Sequence, residues 1–268
     1  VGYSFAKGIS MLRQFDNYLC SLPQNTTELT KEIVLEWTKR KSFEATSTQL
    51  GRISLMRGLA EYMSRMGKKA YICPKSLVTV NRYSYTPYIF SKKEIASIFY
   101  ACDNFPASKE SPNRQIILSL VIRMIYGCGL RISEAVNLTI SDVNLNEGTI
   151  FIKDTKFGKE RLIPMADTLK KRCREYSILV LTGKSDTSYF FPSPFGGHYK
   201  SNTIYGLFRK VLWAAGISHT GKGPRLHDMR HTYAVKCIKK WALANRDMTN
   251  CMPYLSAYLG HEDLRGSQ

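Results

Sequence analysis

Arg225-Leu226-His227-Asp228-Met229-Arg230-His231-Thr232 places two histidines and two arginines within seven residues. The octet follows a loop, Gly221-Lys222-Gly223-Pro224, and runs into Tyr233-Ala234-Val235, which is apolar and helix-like. His227, Arg230 and His231 stand three and four residues apart, so one helical face carries them. A fixed cation with two imidazoles suits an oxyanion, above all a phosphate. The octet alone is equally compatible with a basic helix that touches solvent or a carboxylate. His227 and His231 also have the i, i+4 spacing of a zinc motif, but that motif carries Glu after its first His as general base. Here Asp228 follows, and Arg230 between the two would repel a metal, so no metal is expected.

Outward from the octet, charge bounds the partners. The 268 residues have room for two domains and a large core. The net charge is +18. It is spread over the chain, +6 in residues 1–80 and +12 in 81–268, so one basic tail does not account for it. Nucleic acid is the first partner this implies, because each neutralised phosphate releases counterions. A membrane surface, or plain solubility, is the alternative. The seven cysteines are odd in number and form no C-x-x-C pair, which argues against a disulfide framework and for a reducing compartment. The most apolar stretch, Ile116 to Leu130, is broken by Arg123 and too short to span a bilayer. The chain opens with Val1 and shows no signal-peptide pattern, and is expected to be a piece of a longer protein.

Residues 1–80 read as a helical domain. Phe5, Ile9, Leu12 and Leu19 suggest one face of a first helix; Thr30 can cap a second, with Glu32 in its first turn and Ile33, Leu35 and Trp37 following. Leu50, Ile53, Met56, Leu59 and Met63 form a third stripe that Gly67 can stop. Lys39-Arg40-Lys41 and Lys68-Lys69 are either solvated or placed against a DNA backbone. Residues 76–90 read as a linker. Ser91-Lys92-Lys93-Glu94 is then a capping box, starting a helix with Ile95, Ile98 and Phe99 on its apolar side. A buried helix from about Arg114 to Tyr126 precedes Gly127-Cys128-Gly129-Leu130-Arg131-Ile132-Ser133-Glu134, whose glycines permit a tight turn. Arg131 emerges beside the core and needs an anion, either Glu134 or a phosphate. Ile150-Phe151-Ile152 and Leu162-Ile163-Pro164 read as a hairpin around a basic loop that contains Lys156. Helices are expected over about 167–181 and 201–215, the latter capped by Ser201. A short helix after Pro253 is expected to end at Gly260, just before His261.

Together these pieces resemble the tyrosine recombinases, or phage-type integrases. The resemblance rests on Gly129-Leu130-Arg131-Ile132-Ser133-Glu134, on Lys156 within Lys156-Phe157-Gly158-Lys159-Glu160-Arg161-Leu162-Ile163-Pro164, on His227-Asp228-Met229-Arg230-His231, and on Leu259-Gly260-His261. It covers roughly residues 88–268. It implies a mainly α fold with a small β-sheet or hairpin: a helical core-binding domain (1–80) and an α/β catalytic domain (81–268), closing as a C-shaped clamp on duplex DNA. It implies a tyrosine hydroxyl that attacks a phosphodiester, forms a 3′-phosphotyrosyl link and releases a 5′-hydroxyl, with neither metal nor other cofactor. Arg131 and Arg230 would then clamp the non-bridging oxygens, Lys156 would protonate the leaving 5′-oxygen, His227 would assist proton transfer at the nucleophile, and His261 would hydrogen-bond the phosphate. Glu134 and His231 would support the arginine and the helix.

The resemblance places the nucleophilic tyrosine just beyond Gln268. Tyr254 and Tyr258 precede His261, on the wrong side of the motif, and read as core or surface aromatics. The implied protein is a site-specific recombinase or integrase of a bacterial mobile element or prophage. It would act as a homotetramer on two duplexes, with an accessory DNA-bending or directionality protein as an optional partner, in the cytoplasm at the nucleoid. A catalytically inactive, sequence-specific DNA-binding protein on the same fold is the alternative. A type IB topoisomerase shares the chemistry, but the Leu-Gly-His block and the small size favour recombination.

Overall fold

The computed structural model describes residues 5–22, 28–79, 86–153, 160–221 and 223–260, with the side chains of Ala6 and Lys7 left aside. The expected site residues Lys156 and His261 lie outside the described residues. The chain divides into two compact units, Val1–Thr86 and Pro87–Gln268.

The first unit packs three helices, α1 (Ala6–Cys20), α2 (Lys31–Thr38) and α3 (Thr46–Arg65). Thr30 caps α2, its hydroxyl accepting the Ile33 N–H at 3.4 Å. Ile33, Val34 and Trp37 of α2 meet Ile53, Met56 and Ala60 of α3 in one apolar cluster. Gly67, with φ of +74°, follows α3 where the sequence predicts a stop. The expected face of α1 is corrected. Phe5 and Ile9 are exposed; Phe5 is the residue before the helix, and the covered face runs through Leu12, Phe15 and Leu19. Phe15 meets Trp37 edge to face, with ring centres 5.0 Å apart.

The second unit is built round α5 (Arg114–Cys128), in which every residue from Ile117 to Ile125 is buried. Its flanking partners are α4 (Lys92–Asp103), α7 (Asp167–Tyr176) and α9 (Leu226–Leu243). The capping box at α4 forms as its sequence predicts. The Ser91 hydroxyl accepts the Glu94 N–H at 3.2 Å and the Glu94 carboxylate accepts the Ser91 N–H at 2.7 Å. Arg123 and Ser119, polar residues buried within α5, are both held by Asp103.

The hairpin gains a strand that the sequence does not announce. β1 (Val143–Asn144), β2 (Thr149–Ile152) and β3 (Arg161–Pro164) form an antiparallel sheet in chain order. Its register sets Ile150 opposite Ile163 and Ile152 opposite Arg161. β1 is two residues long, too short to show a period of two.

Helix forms over the expected 167–181, as α7 to Tyr176 and a π-helical turn over Ser177–Leu181. Two helix boundaries differ from expectation. α8 (Ser201–Ala214) has Lys200 before it, so Ser201 is its first helical residue and not its cap. α10 (Met248–Leu259) begins ahead of Pro253, capped by Asp247, whose side chain accepts the Thr249 N–H at 2.9 Å. Pro253 sits inside it and leaves the Thr249 carbonyl without the usual bond from four residues on. No helix among the described residues is long and apolar enough to cross a membrane.

Candidate active site

Two chain reversals, at the ends of α5 and α10, bring the site together. α5 ends on Gly129 in the left-handed region, with φ of +63°. A Cβ there would lie 2.8 Å from the Tyr233 ring and 2.9 Å from Leu259, so glycine is required for both φ and space. Leu130 is buried, and Arg131 precedes α6 (Ile132–Asn137). Glu134, third in α6, turns back and accepts the Arg131 backbone N–H at 2.8 Å. α10 likewise ends on a left-handed glycine, Gly260, with φ of +63°.

Around Glu134 stand three guanidiniums. Arg131 donates through Nη1 to Glu134 Oε1 at 2.7 Å and through Nη2 to the Gly260 carbonyl at 2.7 Å. Arg161, at the start of β3, donates through Nη2 to Glu134 Oε2 at 2.7 Å. Arg230, from α9, donates to the carbonyls of Gly129, at 2.7 Å, and Leu259, and stays 3.8 Å from Glu134 Oε2. The carbonyls that hold Arg131 and Arg230 are those at the ends of α5 and α10, where helix dipoles favour cations. The Arg131 side chain is 25% exposed and is the outward member; Arg230 is 3% exposed and the inward one.

One carboxylate does not neutralise three guanidiniums, so the cluster carries a surplus of two positive charges. Burial would raise the Glu134 carboxyl, but hydrogen bonds from Arg161 and from the Arg131 backbone bring it below its ordinary value. Burial, then the Arg131 charge, pushes Arg230 down to about 9, which still leaves it charged at neutral pH.

The two imidazoles stand one turn apart on α9. The His227 and His231 rings meet edge to face, with centres 4.8 Å apart. Desolvation, then His231 and Arg230, lowers His227 to about 4, partly opposed by Asp228. The ring keeps solvent exposure, and His227 is neutral at physiological pH. His231 is lowered too, by burial first. The buried Asp228 carboxylate accepts the Arg225 N–H at 2.7 Å and so caps the start of α9.

Of the expected site residues, Arg131, Glu134 and Arg230 thus meet directly, and His227 and His231 share the helix that carries Arg230. A cleft of about 770 Å³ opens beside Arg131 and Glu134, lined also by Ser133, Asn137, Lys153, Tyr189 and His198. Tyr258 stacks on Tyr233 with ring centres 5.6 Å apart. Burial pushes the Tyr258 hydroxyl up to about 12 and also raises Tyr233, so neither is an activated nucleophile. Tyr254 is exposed. Residue reasoning assigned Arg161 no role. The signal was there: alternation along β3 puts Arg161 on the face of buried Ile163.

The sequence profile of the phage integrase family matches residues 89–265. The chain belongs to that family, the tyrosine recombinases, and this places it among the site-specific DNA recombinases and integrases. The putative integrase/recombinase y4rB of Sinorhizobium fredii is 31% identical over 258 residues, which is 91% of this chain and 80% of that protein. A tyrosine recombinase of Pseudothermotoga lettingae is 27% identical over 231 residues, 83% of this chain and 74% of that one. Two solved structures share the fold. A lambda integrase dimer bound to a COC′ core site superposes with a TM-score of 0.71 at 16% identity, over 99% of this chain and 88% of that one. XerH bound to difH substrate, in a post-cleavage complex, gives 0.69 at 21%, over 96% and 72%.

Proposed function

We propose that this protein breaks and rejoins duplex DNA at a specific site through a 3′-phosphotyrosyl intermediate. The observation that carries this reading is the buried cluster in which Arg131 and Arg230 are fixed by helix-end carbonyls and share a single carboxylate. Such a cluster is built before the substrate arrives, and its surplus charge suits a phosphoryl group that gains negative charge as it is attacked. Arg131 and Arg230 hold the two non-bridging oxygens.

In the forward step a tyrosine oxygen bonds to phosphorus and the bond to the 5′-oxygen breaks. The tyrosine proton leaves by way of neutral His227, and Lys156 supplies a proton to the leaving 5′-oxygen. His261 hydrogen-bonds the phosphate. The incoming 5′-hydroxyl of a partner strand reverses these transfers, so the ester is exchanged and not spent. The attacking tyrosine belongs on the C-terminal side of His261. Glu134 and His231 hold the arginines and α9 in place.

The first unit is the core-binding domain and the second the catalytic domain. The working partner is double-stranded DNA, engaged by a homotetramer and, where the reaction needs one, an accessory DNA-bending or directionality protein. The DNA-bound lambda integrase and XerH complexes support the duplex as partner. A fold shared with the Tn1549 transposon integrase supports a mobile element as source.

The test is a nicked duplex that traps the covalent step, incubated in EDTA with the full-length gene product. An SDS-resistant protein–DNA adduct is expected. Specific binding without an adduct would leave a DNA-binding protein on the same fold, and a strict magnesium requirement would overturn the mechanism.

A further inference from the structure

Arg161 is the third guanidinium at Glu134. Its side chain is 10% exposed. It touches Glu134 through Nη2, while its buried Nε and Nη1 have no hydrogen-bond partner. A β-strand that needed only to pack its core face would place an aliphatic residue there, as β3 does two residues later with Ile163. Buried polar groups left unpaired are unfavourable, and a buried ion pair replaced as a whole by apolar residues is often no less stable. The arginine is therefore not explained by the stability of the strand.

The geometry around Glu134 Oε2 supplies another reason. That oxygen accepts from Arg161 Nη2 at 2.7 Å and from the Arg131 backbone at 2.8 Å. Arg230 Nη1, at 3.8 Å from the same oxygen, is outside hydrogen-bond reach and is bonded to the Gly129 carbonyl instead. Of the two guanidiniums near that oxygen, Arg161 is thus the one that holds it by a hydrogen bond. It also fills the space over Gly260, where a Cβ would lie 2.7 Å from its Nη1. The glycine therefore lets the guanidinium lie against the end of α10, whose Leu259 and Gly260 carbonyls hold Arg230 and Arg131.

We propose that Arg161 is a positioning residue of the recombination reaction: by holding Glu134 Oε2 it keeps that carboxylate out of hydrogen-bond contact with Arg230, at ion-pair distance only, and its own charge maintains the cluster's positive surplus for the scissile phosphate. This rests on the function proposed above. Arg161 acts through Glu134 and does not touch the DNA. Its loss therefore slows the covalent step without weakening DNA binding, and the slowing depends on the carboxylate being present.

The experiment is a double-mutant cycle on the full-length protein, with Arg161→Gln, Glu134→Gln and the pair. It reads the single-turnover rate of adduct formation on the nicked duplex, and the Kd for an intact one. Arg161→Gln is expected to lower the rate 10- to 100-fold with Kd within about twofold. In the Glu134→Gln background the same change is expected to cost less than about threefold, because interacting residues are not additive. Arg161→Lys keeps the charge and is expected to recover most of the rate, and it carries the test if the glutamine variant does not fold. An unchanged rate, equal losses in both backgrounds, or a Kd that weakens as much as the rate falls would overturn the proposal. If the unmutated protein forms no adduct, the proposed function fails instead. The inference is then read from orthophosphate, which should raise the Tm of the unmutated chain more than that of Arg161→Gln at matched ionic strength. Equal shifts would overturn it.

Discussion

Arg230 gives hydrogen bonds to two main-chain carbonyls, so its position is set by helix ends and not by the DNA. Arg230→Ala should therefore remove the covalent adduct, a loss of about a hundredfold or more and on the order of 3 kcal/mol of barrier, while duplex binding by gel shift stays within a few-fold. Equal loss of both would make Arg230 an ordinary DNA contact. His227 supports a prediction of a different kind. Its pKa is about 4 in the folded chain against 6.5 ordinarily, so the unfolded chain takes up its proton first as pH falls. The stability linked to the neutral ring is complete above about pH 6.5 and is lost toward pH 4. The urea midpoint should drop between pH 7 and pH 5, and His227→Asn should shrink that drop; equal drops would mean that the ring is not held neutral. The sequence identifies these residue types and their spacing. It does not show that Arg230 turns inward while His227 stays exposed, because i, i+3 spacing fixes a face and not depth. Arg161 was legible only as the last residue of the basic hairpin loop, since the carboxylate it meets is 27 residues away.

Local signals were readable where the element makes its own contacts. The Ser91–Glu94 box, the Thr30 cap and the glycine stops after α3 and α10 each rest on neighbours within a few residues, and each forms. The face of α1 and strand β1, which the sequence did not show, depend on distant partners. The covered face of α1 is chosen by Trp37, and the pairing of β1 by Ile150 and Thr149. The same distinction predicts opposite signs for two glycines. Gly58, inside α3, has nothing within 4 Å of an added Cβ, so Gly58→Ala should raise stability by about 0.5–1 kcal/mol. Gly129 ends α5 at φ of +63° with Tyr233 and Leu259 against it, and its carbonyl holds Arg230. Gly129→Ala should cost about 2 kcal/mol or more from left-handed strain and overpacking, and should also lower adduct formation. Urea midpoints measure both; a neutral Gly129→Ala would mean that the turn is not needed to seat the clamp.

At the scale of the whole molecule, charge rather than any single contact sets how the protein meets DNA. The net charge of +18 is carried by both halves of the chain, which predicts a binding constant that falls linearly in log–log form as salt rises. The first unit contributes a groove lined by Gln14, Asn17, Tyr18, Trp37, Lys39 and Lys41, where amides and cations adjoin an aromatic floor. Lys39 is mostly solvent-exposed and reaches Glu36 only at 3.7 Å, an exposed pair that contributes little to stability. Arg40, by contrast, donates to the Glu44 carbonyl at 3.0 Å. Lys39 and Lys41 are thus the exposed charges of that run to replace. If each neutralises one phosphate, Lys39→Gln with Lys41→Gln should reduce the salt slope by about 2, from roughly 0.9 per phosphate contact. Affinity should fall alike for specific and random duplexes, because phosphate contacts carry no sequence information. The adduct yield at saturating DNA should not change, since these lysines belong to the first unit and the guanidinium cluster to the second. An unchanged slope would remove this groove from the DNA face and leave the charge of the second unit to carry the electrostatic part of binding.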